Sequence, residues 1–366
     1  MMLKRFFSLI TIVCIIQYIA SAQIPAGYYD AANGLTAAPL KTALYNIIKG
    51  HTDKGYDGLY ACYTTTDNLP SAKVWDMYSI KANDSANYWY TNSASNSDQC
   101  GNYNSEGDCY NREHSFCDSW LGQASPQRSD LFHVYPTDGY VNNRRSSYPH
   151  GKVGNATWTS SNGSKLGSSD PATGYTGVVF EPIDQFKGDF ARSYFYMATR
   201  YENLIGGWSN NGSASELLAG NSYPAFKTWF LNLMMQWSTQ DPVSQKEIDR
   251  NNAVYAYQHN RNPYIDHPEY VAAVWGGGTY IYTTASDFYG KVSIYPNPAK
   301  DKLTIDIYNM EKLPENISVT DVSGRLVYHT TQVTSHQQID LTSLESGMYF
   351  LIVSAKDCKS VYKFIH

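Results

Sequence analysis

The chain has 366 residues, of which 42% are hydrophobic and 17% are charged. This length and composition exclude a disulfide-stapled miniprotein and a disordered tail, and they predict one large domain or two unequal ones. The 28 basic and 33 acidic side chains give a net charge of −5, which excludes a polyanion-binding field spread over the whole surface. Any phosphate-binding role must therefore depend on a local cluster of cations.

Residues 1–22 have the pattern of a cleavable export signal. Lys4 and Arg5 precede an apolar run that reaches about Ile19, and three small residues follow it at positions 20–22. An uncleaved membrane anchor is the alternative, but the run is short against the ~20 apolar residues that a span needs, and no later segment approaches that length. The sequence therefore predicts a secreted or cell-surface protein without a transmembrane segment in the mature chain.

Five cysteines remain once Cys14 leaves with the signal, an odd number in a compartment where disulfides persist. Cys100 and Cys109 bracket a turn-rich loop and are the preferred disulfide pair. A bridge between Cys62 and Cys117 is a weaker alternative. The chain has no CxxC spacing, so a cysteine-held zinc site is not expected.

The part of the chain after the signal combines predicted helices with a loop-rich middle. Residues 40–50 place apolar side chains at helical spacing before a glycine, which predicts a short amphipathic helix. Residues 186–205 repeat apolar side chains every three or four positions, and residues 226–260 extend the helical content. Residues 85–184 are rich in Gly, Asn, Ser and Tyr, which favours loops and short strands. Residues 23–285 are therefore predicted to form one mixed α+β domain.

Residues 290–366 differ in pattern from everything before them. Polar residues alternate there with β-branched or aromatic ones, separated by Asn-Pro and Ser-Gly turns, which predicts a small all-β sandwich. Four segments, YPNPAKDKLTI, VTDVSGRLV, IDLTSLESGMYFL and KSVYKFIH, resemble the C-terminal sorting domain of proteins exported by the type IX secretion system. The resemblance implies a delivery tag that binds this secretion machinery. An ordinary carbohydrate-binding or adhesive sandwich is the alternative.

The densest run of reactive side chains lies between residues 109 and 151. It contains three groups: Glu113 beside His114, Asp130 near His133, and the run Asn142, Asn143, Arg144 and Arg145. Hydrolysis of a phosphodiester requires an activated water, a cation on the departing oxygen and positive charge on the equatorial oxygens. Each of these requirements has a candidate in this run.

His114 is the natural general base, because a neutral imidazole with a pKa near ~6.5 accepts a proton at physiological pH better than a carboxylate does. On an extended segment the neighbouring Glu113 points to the opposite side and is better placed to hold an ion. The carboxylate of Glu113 and the amide of Asn142 offer oxygens that suit a hydrated Mg²⁺, with Ca²⁺ or Mn²⁺ as alternatives. Zinc would prefer more nitrogen or sulfur.

The other polar side chains of the run are predicted to support this chemistry. Arg144 and Arg145 have forked donors that match phosphate oxygens and stay charged at any relevant pH, so both are predicted to bind the substrate phosphate. A solvated face or a structural salt bridge is the alternative for them. Asp130 and His133 are predicted to orient the active loop through hydrogen bonds, with ordinary loop buttressing as the equal alternative.

Four ordered motifs also resemble a known family. They are NREHSF, SDLFHVYPTDGYVNNRRSSYPHG, FEPIDQFKGDFARSYFYMATRY and QHNRNPYIDHPE. Over roughly residues 59–270 the chain resembles the secreted bacterial endonuclease I family, which are non-specific nucleases of the His-Me finger (ββα-metal) fold. The resemblance implies a histidine at the end of a strand and an asparagine on the helix packed across it.

The resemblance also implies a role for individual residues. His114 matches the family's general base, Glu113 and Asn142 match its metal ligands, and Arg145 matches an arginine expected near the scissile phosphate. The implied activity is cleavage of both DNA and RNA that leaves 5′-phosphate ends. The chain departs from the pattern at Cys117, where many relatives have a proline. This difference is expected either to change the loop after His114 or to provide an extra disulfide.

Two other functions stay open at this point. The Tyr-, Asn- and Gly-rich composition also suits a secreted adhesin or glycan-binding protein, which would show no metal-dependent hydrolysis. A phosphoesterase acting on small nucleotides would keep the chemistry and change the substrate. The arginine pair should favour long polyanions and make binding fall steeply with salt, which separates the second alternative from a nuclease.

Three further groups of residues are expected to be structural. Four charged residues are predicted to hold the central helix against the active loop: Glu181, Lys187, Asp189 and Arg192. Residues 259–269 contain two prolines and are predicted to be a rigid extended loop with a packing role. Four tryptophans are expected in the core, with stacking on nucleobases as the alternative: Trp75, Trp89, Trp120 and Trp158.

Overall fold

The structure of the protein, a computed structural model, describes residues 24–95, 97–100, 102–276, 292–307, 313–322, 324–355 and 358–366. The predicted export signal and its cleavage site lie outside the described residues. The ends of the two predicted domains, at 285 and 290, also lie outside them. Within the described ranges, no helix combines the length and the apolar character that a bilayer span requires.

The first region, residues 24–276, contains most of the helix. Its described part has nine α-helices: α1 (Ala37–Ile48), α2 (Leu59–Thr66), α3 (Gly139–Arg145), α4 (Lys187–Arg200), α5 (Ile205–Trp208), α6 (Thr228–Gln240), α7 (Gln245–Gln258), α8 (Pro263–Asp266) and α9 (Glu269–Trp275). The short amphipathic helix predicted before Gly50 is confirmed as α1. It buries Leu40, Leu44 and Ile48, which share one face at helical spacing.

Helix α4 is the centre of the main apolar core. Every residue from Gly188 to Arg200 is buried, so the helix is enclosed on all sides rather than on the one apolar face that its spacing predicts. Tyr194 packs edge-on against Phe230 of α6 with ring centroids 4.8 Å apart, and Phe195 packs on Trp275 of α9 at 4.5 Å. The predicted helix is confirmed, and its full burial explains why it can position neighbouring loops.

Two of the charged residues of α4, Lys187 and Arg192, have structural partners, as predicted. The guanidinium of Arg192 makes two hydrogen bonds of 2.6 and 2.8 Å to the carboxylate of Glu247, and the ammonium of Lys187 lies 2.7 Å from Glu181. These ion pairs connect α4 to α7 and to the strand that ends at Glu181. The prediction that they hold the helix against the active loop is therefore wrong, because their partners belong to other elements.

The strands of the first region are short and antiparallel. They are β1 (Asn68–Leu69), β2 (Lys73–Val74), β3 (Tyr110–His114), β4 (Val134–Asp138), β5 (Val153–Thr159), β6 (Lys165–Ser169) and β7 (Val178–Glu181). Strand β3 pairs with β4, β1 pairs with β2, and β5, β6 and β7 form a three-stranded sheet in that order. Strand β4 runs directly into α3, and α3 packs on both strands of the β3–β4 pair. This gives a strand–strand–helix unit.

The junction between β4 and α3 is fixed by local contacts. The side chain of Asp138 accepts a hydrogen bond of 2.8 Å from the backbone N–H of Val141, which caps the helix. Gly139 has no room for a side chain, because a Cβ there would lie 2.5 Å from the sulfur of Cys100. The predicted Cys100–Cys109 disulfide is confirmed, and it lies against the start of α3. Cys62 and Cys117 are buried free thiols, so the alternative pairing is wrong.

Residues 259–269 are only partly extended, because residues 263–266 form α8 and Glu269 begins α9. The side chain of Asn262 accepts a hydrogen bond of 3.0 Å from the N–H of Tyr264, and Pro263 occupies the first turn of α8, where its fixed φ suits a helix. Arg261 makes two hydrogen bonds, of 2.6 and 2.8 Å, to Asp266. The predicted extended loop is wrong for residues 263–266, because Pro263 starts a helix there, while the predicted packing role agrees with the buried ion pair.

The C-terminal region is all-β, as predicted. Its strands are β8 (Val292–Tyr295), β9 (Lys302–Ile307), β10 (Asn316–Asp321), β11 (Leu326–Thr330), β12 (His336–Asp340), β13 (Met348–Ala355) and β14 (Cys358–Ile365). They form a four-stranded sheet, in the order β11-β10-β13-β14, and a three-stranded sheet, in the order β12-β9-β8. Both sheets contribute to one buried core, with Leu303 and Ile305 from the smaller sheet and Val319 and Leu351 from the larger. This is the packing of a β-sandwich.

Candidate active site

The end of β3 and one face of α3 bring the predicted site residues together. The amide nitrogen of Asn142 donates to the side-chain oxygen of Asn111 at 2.7 Å, so this position of α3 lies beside the middle of β3. Three residues later, Arg145 donates to the carbonyl oxygens of His114 and Ser115, both at 2.7 Å. Because positions i and i+3 share a face of a helix, α3 lies along β3 with Asn142 and Arg145 on the contact face.

His114 ends β3, as the resemblance implied, and its ring is held at one nitrogen. Its Nε2 lies 2.9 Å from the backbone carbonyl of Arg128. A carbonyl only accepts, so Nε2 carries the proton and Nδ1 has a free lone pair. No described residue makes a hydrogen bond to Nδ1. Burial lowers the pKa of His114 to about 4, which keeps the imidazole neutral at physiological pH.

Glu113 is buried and uses only one of its carboxylate oxygens within the protein. Its Oε1 accepts a hydrogen bond of 2.7 Å from the hydroxyl of Tyr78 and lies 3.1 Å from the guanidinium of Arg145. Its Oε2 has no hydrogen-bond partner among the described residues. Burial raises the pKa of Glu113, and Arg145 and Tyr78 oppose that rise. The side chain is therefore held in one orientation with a spare acceptor.

Glu113 and Asn142 each have a free oxygen of the kind that a hard cation binds. The amide nitrogen of Asn142 is occupied by Asn111, while its amide oxygen has no hydrogen bond to any described residue. Nowhere in the described ranges do three or more His, Cys, Asp or Glu side chains form a metal-binding group. One carboxylate and one amide oxygen suit Mg²⁺, which keeps several of its waters, better than they suit zinc.

The two arginines of α3 have different surroundings. Arg145 is 1% exposed, and its guanidinium contacts Glu113 and the carbonyls of His114 and Ser115. Arg144 is exposed, and its guanidinium donates to the hydroxyl of Tyr140 at 2.7 Å. The structure therefore gives Arg145 the contacts of a residue that holds the end of β3. Arg144 has its charge at the surface, and a phosphate contact stays a prediction for both.

His133 and Asp130 lie behind the His114 ring. The Nε2 of His133 is 2.6 Å from the carbonyl of Gln127, and the next carbonyl in the chain, that of Arg128, holds His114. The two imidazole rings are 5.4 Å apart. Burial, and then the neighbouring His114, lower the pKa of His133 to about 3. A short turn thus presents consecutive carbonyls to two neutral histidines, an arrangement suited to the predicted orienting role.

Asp130 is the buried anchor of the same segment. Its carboxylate accepts hydrogen bonds from the hydroxyls of Tyr196 and Tyr201 at 2.8 and 2.9 Å, and from the amide of Gln258 at 3.0 Å. Burial raises the pKa of Asp130, but the nearby His51 and His133, the hydrogen bond from Gln258 and the nearby Arg200 outweigh burial, so the net shift is downward. Asp130 therefore ties the segment that precedes β4 to α4 and α7.

Comparison with known proteins identifies the family of the chain. The sequence profile of the Endonuclease I family matches residues 36–269, which include the whole strand–strand–helix unit. The chain belongs to the Endonuclease I family. An extracellular ribonuclease of Bacillus amyloliquefaciens is 35% identical over 251 residues, which cover 68% of this chain and 78% of that protein.

Two further relatives extend the comparison of the endonuclease I domain. An extracellular ribonuclease of Bacillus subtilis (strain 168) is 33% identical over 258 residues, which cover 68% of this chain and 78% of that protein. Endonuclease-1 of Buchnera aphidicola is 23% identical over 137 residues, which cover 37% of this chain and 44% of that protein.

The C-terminal sandwich has its own match. The profile of a secretion system C-terminal sorting domain matches residues 293–366. The prediction of a type IX sorting domain is confirmed, and the alternative of an ordinary adhesive sandwich is not supported. This endonuclease I protein is therefore secreted or displayed on the cell surface.

The structure adds three residues to the endonuclease I site that sequence reasoning did not assign. The ring of Tyr56 stacks on His114, with centroids 5.7 Å apart. The guanidinium of Arg112 lies 3.6 Å from the Tyr56 ring centroid, and that of Arg128 lies 4.2 Å from it. Two guanidinium groups therefore lie against the Tyr56 ring, which stacks on the general-base candidate. Arg112 directly precedes Glu113 in the motif, and Arg128 lies within the run 109–151, which were the available signals. Tyr56 lies far outside that run and had none.

A buried hydrogen-bond network lies behind Glu113. The Tyr78 hydroxyl that bonds Glu113 is 3.3 Å from Nε2 of His150, and Nδ1 of His150 is 2.9 Å from the hydroxyl of Tyr194. Tyr194 in turn donates to the carbonyl of Ser115 at 2.8 Å. This network links α4 to both ends of the Glu113–His114 pair, so the position of the pair depends on the central helix.

Proposed function

We propose that this protein is a secreted, divalent-metal-dependent endonuclease that hydrolyses phosphodiester bonds of DNA and RNA without sequence preference and leaves 5′-phosphate ends. The observation that carries the proposal is the arrangement around His114: Nε2 is held by the Arg128 carbonyl while Nδ1 has no protein partner. The neighbouring Glu113 and Asn142 offer free oxygens. The match to the Endonuclease I family and the two extracellular ribonucleases of Bacillus support it.

In this proposal, His114 acts as the general base. Its Nδ1 accepts a proton from a water molecule, and the water oxygen attacks phosphorus while the bond between phosphorus and the 3′ oxygen breaks. The carbonyl of Arg128 stabilises the imidazolium that forms, because it accepts the hydrogen bond from Nε2 throughout. The departing 3′ oxygen takes a proton from solvent.

Glu113 and Asn142 would hold Mg²⁺, with Ca²⁺ or Mn²⁺ as alternatives. When bound, the ion supplies positive charge next to the scissile phosphate and the departing oxygen. Arg145 fixes Glu113 through the 3.1 Å ion pair and fixes the end of β3 through two carbonyls. The strand–strand–helix unit that carries these residues fits the His-Me finger arrangement.

The remaining cations of the site would bind the phosphate backbone. Arg144 is exposed, and Arg112 and Arg128 lie over the Tyr56 ring beside His114. Guanidinium groups match phosphate oxygens and carry no base information. Cleavage is therefore expected on both DNA and RNA and at any sequence. Binding should weaken steeply with salt.

The general base is tested by substitution in the purified full-length chain. We expect His114→Ala to lower the rate of plasmid and RNA cleavage by about 10²–10⁴-fold with an unchanged circular dichroism spectrum. His329→Ala changes an exposed histidine of the sorting domain and serves as the matched control, with wild-type activity expected. Full activity of His114→Ala would contradict the proposed role of His114 as the general base. Absence of any cleavage by the wild-type chain with Mg²⁺ would favour the adhesin or glycan-binding alternative.

A further inference from the structure

Asp76 is a buried carboxyl that holds two separate segments of the endonuclease I domain. It follows β2 in the chain and is 1% exposed. Its Oδ1 accepts a hydrogen bond of 2.8 Å from the backbone N–H of Tyr78. Its Oδ2 accepts one of 3.0 Å from the backbone N–H of Asp138, which lies 62 residues further along the chain. Each carboxyl oxygen therefore fixes a different segment.

Both segments lead to one of the proposed metal ligands. The hydroxyl of Tyr78 donates to Oε1 of Glu113 at 2.7 Å. Asp138 caps α3, and that helix carries Asn142. The hydrogen bonds of the Asp76 side chain go to the supports of Glu113 and Asn142 and not to the two ligands themselves. Asp76 therefore connects the two ligands indirectly, through one contact on each side.

The connection from the Tyr78 backbone to its hydroxyl is held by packing. The Tyr78 ring lies against Phe180 and Phe190, with ring centroids 5.1 and 5.9 Å apart. The buried side chain of Asn162 donates to the carbonyl of Met77 at 3.1 Å, which fixes the turn that precedes the ring. Close-packed side chains transmit displacements rather than absorb them. A shift of the Tyr78 backbone would therefore move the hydroxyl and the carboxylate that it holds.

A carboxyl is unfavourable at this position for stability alone. Burial, and then the neighbouring Asp138, raise the pKa of Asp76 to about 8, although the hydrogen bonds from Tyr78, Ser79 and Asp138 oppose the rise. Buried charged groups often stabilise a fold less than apolar side chains of similar size do. A carboxyl does offer what an apolar side chain lacks, which is two acceptor oxygens at the end of one short stem. Both of these oxygens are used here.

We propose that Asp76 is a positioning residue that sets the distance between the oxygens of Glu113 and Asn142, and with it the affinity of the site for a divalent cation. The inference rests on the proposed function, which supplies the roles of the two ligands. Mg²⁺ demands near-ideal coordination geometry, and loss of a residue that supports metal ligands typically costs about 10–100-fold in metal affinity or activity. Loss of either hydrogen bond of Asp76 should therefore weaken cation binding although both ligands are still present.

Binding of Mn²⁺ to the full-length chain, followed by electron paramagnetic resonance of the free ion, tests this without any cleavage. Asp76→Asn keeps the side-chain shape, but its amide nitrogen must face one of the two N–H donors. We expect it to weaken, by about tenfold or more, the Mn²⁺ binding that Glu113→Ala removes. Asp266→Asn is the matched control, because this side chain is 5% exposed and pairs with Arg261 outside the site. Its Mn²⁺ affinity should equal that of the wild-type chain.

A second variant tests the contact with α3 separately. In Asp76→Ser the hydroxyl can still accept from the N–H of Tyr78, two residues on, as serine does in turns. Its shorter side chain cannot keep the hydrogen bond to Asp138 as well. We expect a loss of Mn²⁺ affinity in the same direction as for Asp76→Asn. Circular dichroism and thermal unfolding check both variants, and failure of both to fold would mean that Asp76 serves stability, which overturns the inference.

Plasmid cleavage at increasing Mg²⁺ concentration separates this inference from the proposed function. In Asp76→Asn we expect the Mg²⁺ concentration at half-maximal rate to rise by about tenfold or more, and saturating Mg²⁺ to restore most of the rate. Cleavage by the wild-type chain with an unchanged half-saturating Mg²⁺ concentration and an unchanged Mn²⁺ affinity in Asp76→Asn overturns the positioning role alone. A wild-type chain whose Mn²⁺ binding depends on Glu113 and Asp76 but which shows no cleavage supports the positioning role and overturns the nuclease proposal.

Discussion

The two regions of the molecule differ most in what they bury. The endonuclease I domain encloses whole ion pairs, including Arg145 with Glu113, Arg192 with Glu247 and Arg250 with Asp67. In the described part of the sorting domain, the buried side chains are apolar except for Thr304. Its ion pairs lie at the surface, as in Arg325 with Asp321, where the arginine side chain is 77% exposed.

The difference matches the chemistry proposed for the first region and the absence of any such proposal for the second. Buried charges are costly unless they are paired and hydrogen-bonded, so an apolar core is the simpler way to stabilise a domain. The sorting domain uses that solution. The endonuclease I domain instead holds a carboxylate, a neutral imidazole and a guanidinium in fixed positions away from water. The surrounding tyrosines and carbonyls satisfy only part of their hydrogen-bonding groups, and Oε2 of Glu113, Nδ1 of His114 and Nε of Arg145 have no partner among the described residues.

The largest expected effect is on catalysis, through the cation. Removing divalent metal with a chelator is expected to lower the cleavage rate by at least about 10²-fold, because the ion supplies several kcal/mol of charge stabilisation in such reactions. Glu113→Ala should have a similar effect that added Mg²⁺ at millimolar concentration does not restore. Initial rates on supercoiled plasmid measure both. Undiminished cleavage in excess chelator would contradict the oxygen-ligand assignment.

The next effect concerns a buried charge. Arg145→Met leaves Glu113 buried without its ion-pair partner, and we expect it to lower the free energy of unfolding of the endonuclease I domain by about 3–5 kcal/mol. Arg325→Met breaks the exposed pair of the sorting domain and should cost less than about 1 kcal/mol. Urea unfolding in chelator, followed by tryptophan fluorescence and circular dichroism, measures both. Equal losses in the free energy of unfolding for the two variants would show that burial of the ion pair does not decide how much it contributes to stability.

A smaller effect is expected from the disulfide. Replacing Cys100 and Cys109 by serine opens a short loop against the start of α3, and we expect a loss of about 2–3 kcal/mol in the free energy of unfolding. A reducing agent should produce the same loss in the wild-type chain and no further loss in the double variant. Thermal unfolding with and without dithiothreitol measures this. Equal sensitivity of both proteins to the reductant would mean that the loss of stability does not come from the Cys100–Cys109 disulfide.

The smallest effect on catalysis is expected from the sorting domain. Deleting residues 290–366 should change kcat and KM on plasmid by less than about twofold, because no residue of that segment takes part in the proposed chemistry. The same deletion should abolish delivery to the cell surface or the medium, which fractionation and immunoblotting measure. A tenfold fall in kcat would mean that the two regions cooperate in hydrolysis.

Several features could be predicted because they depend on neighbours along the chain. The spacing of apolar residues determined α1 and α4, and alternation determined the strands of the sorting domain. The short Cys100–Cys109 separation determined the disulfide. The motif residues His114 and Asn142 were placed on a strand end and a helix by family resemblance, and the structure places them there.

Only the tertiary structure decided the contacts between residues that are far apart in sequence. Tyr56 and Arg128 reach the His114 ring, and Tyr78 reaches Glu113, from segments that carry no common pattern. The burial of Arg145 was likewise invisible, because its neighbour Arg144 is chemically identical and exposed. Periodicity records which face of an element is apolar. It does not indicate which neighbouring element covers that face. That element decides whether a charged side chain is buried and stabilises the fold or stays exposed and can bind substrate.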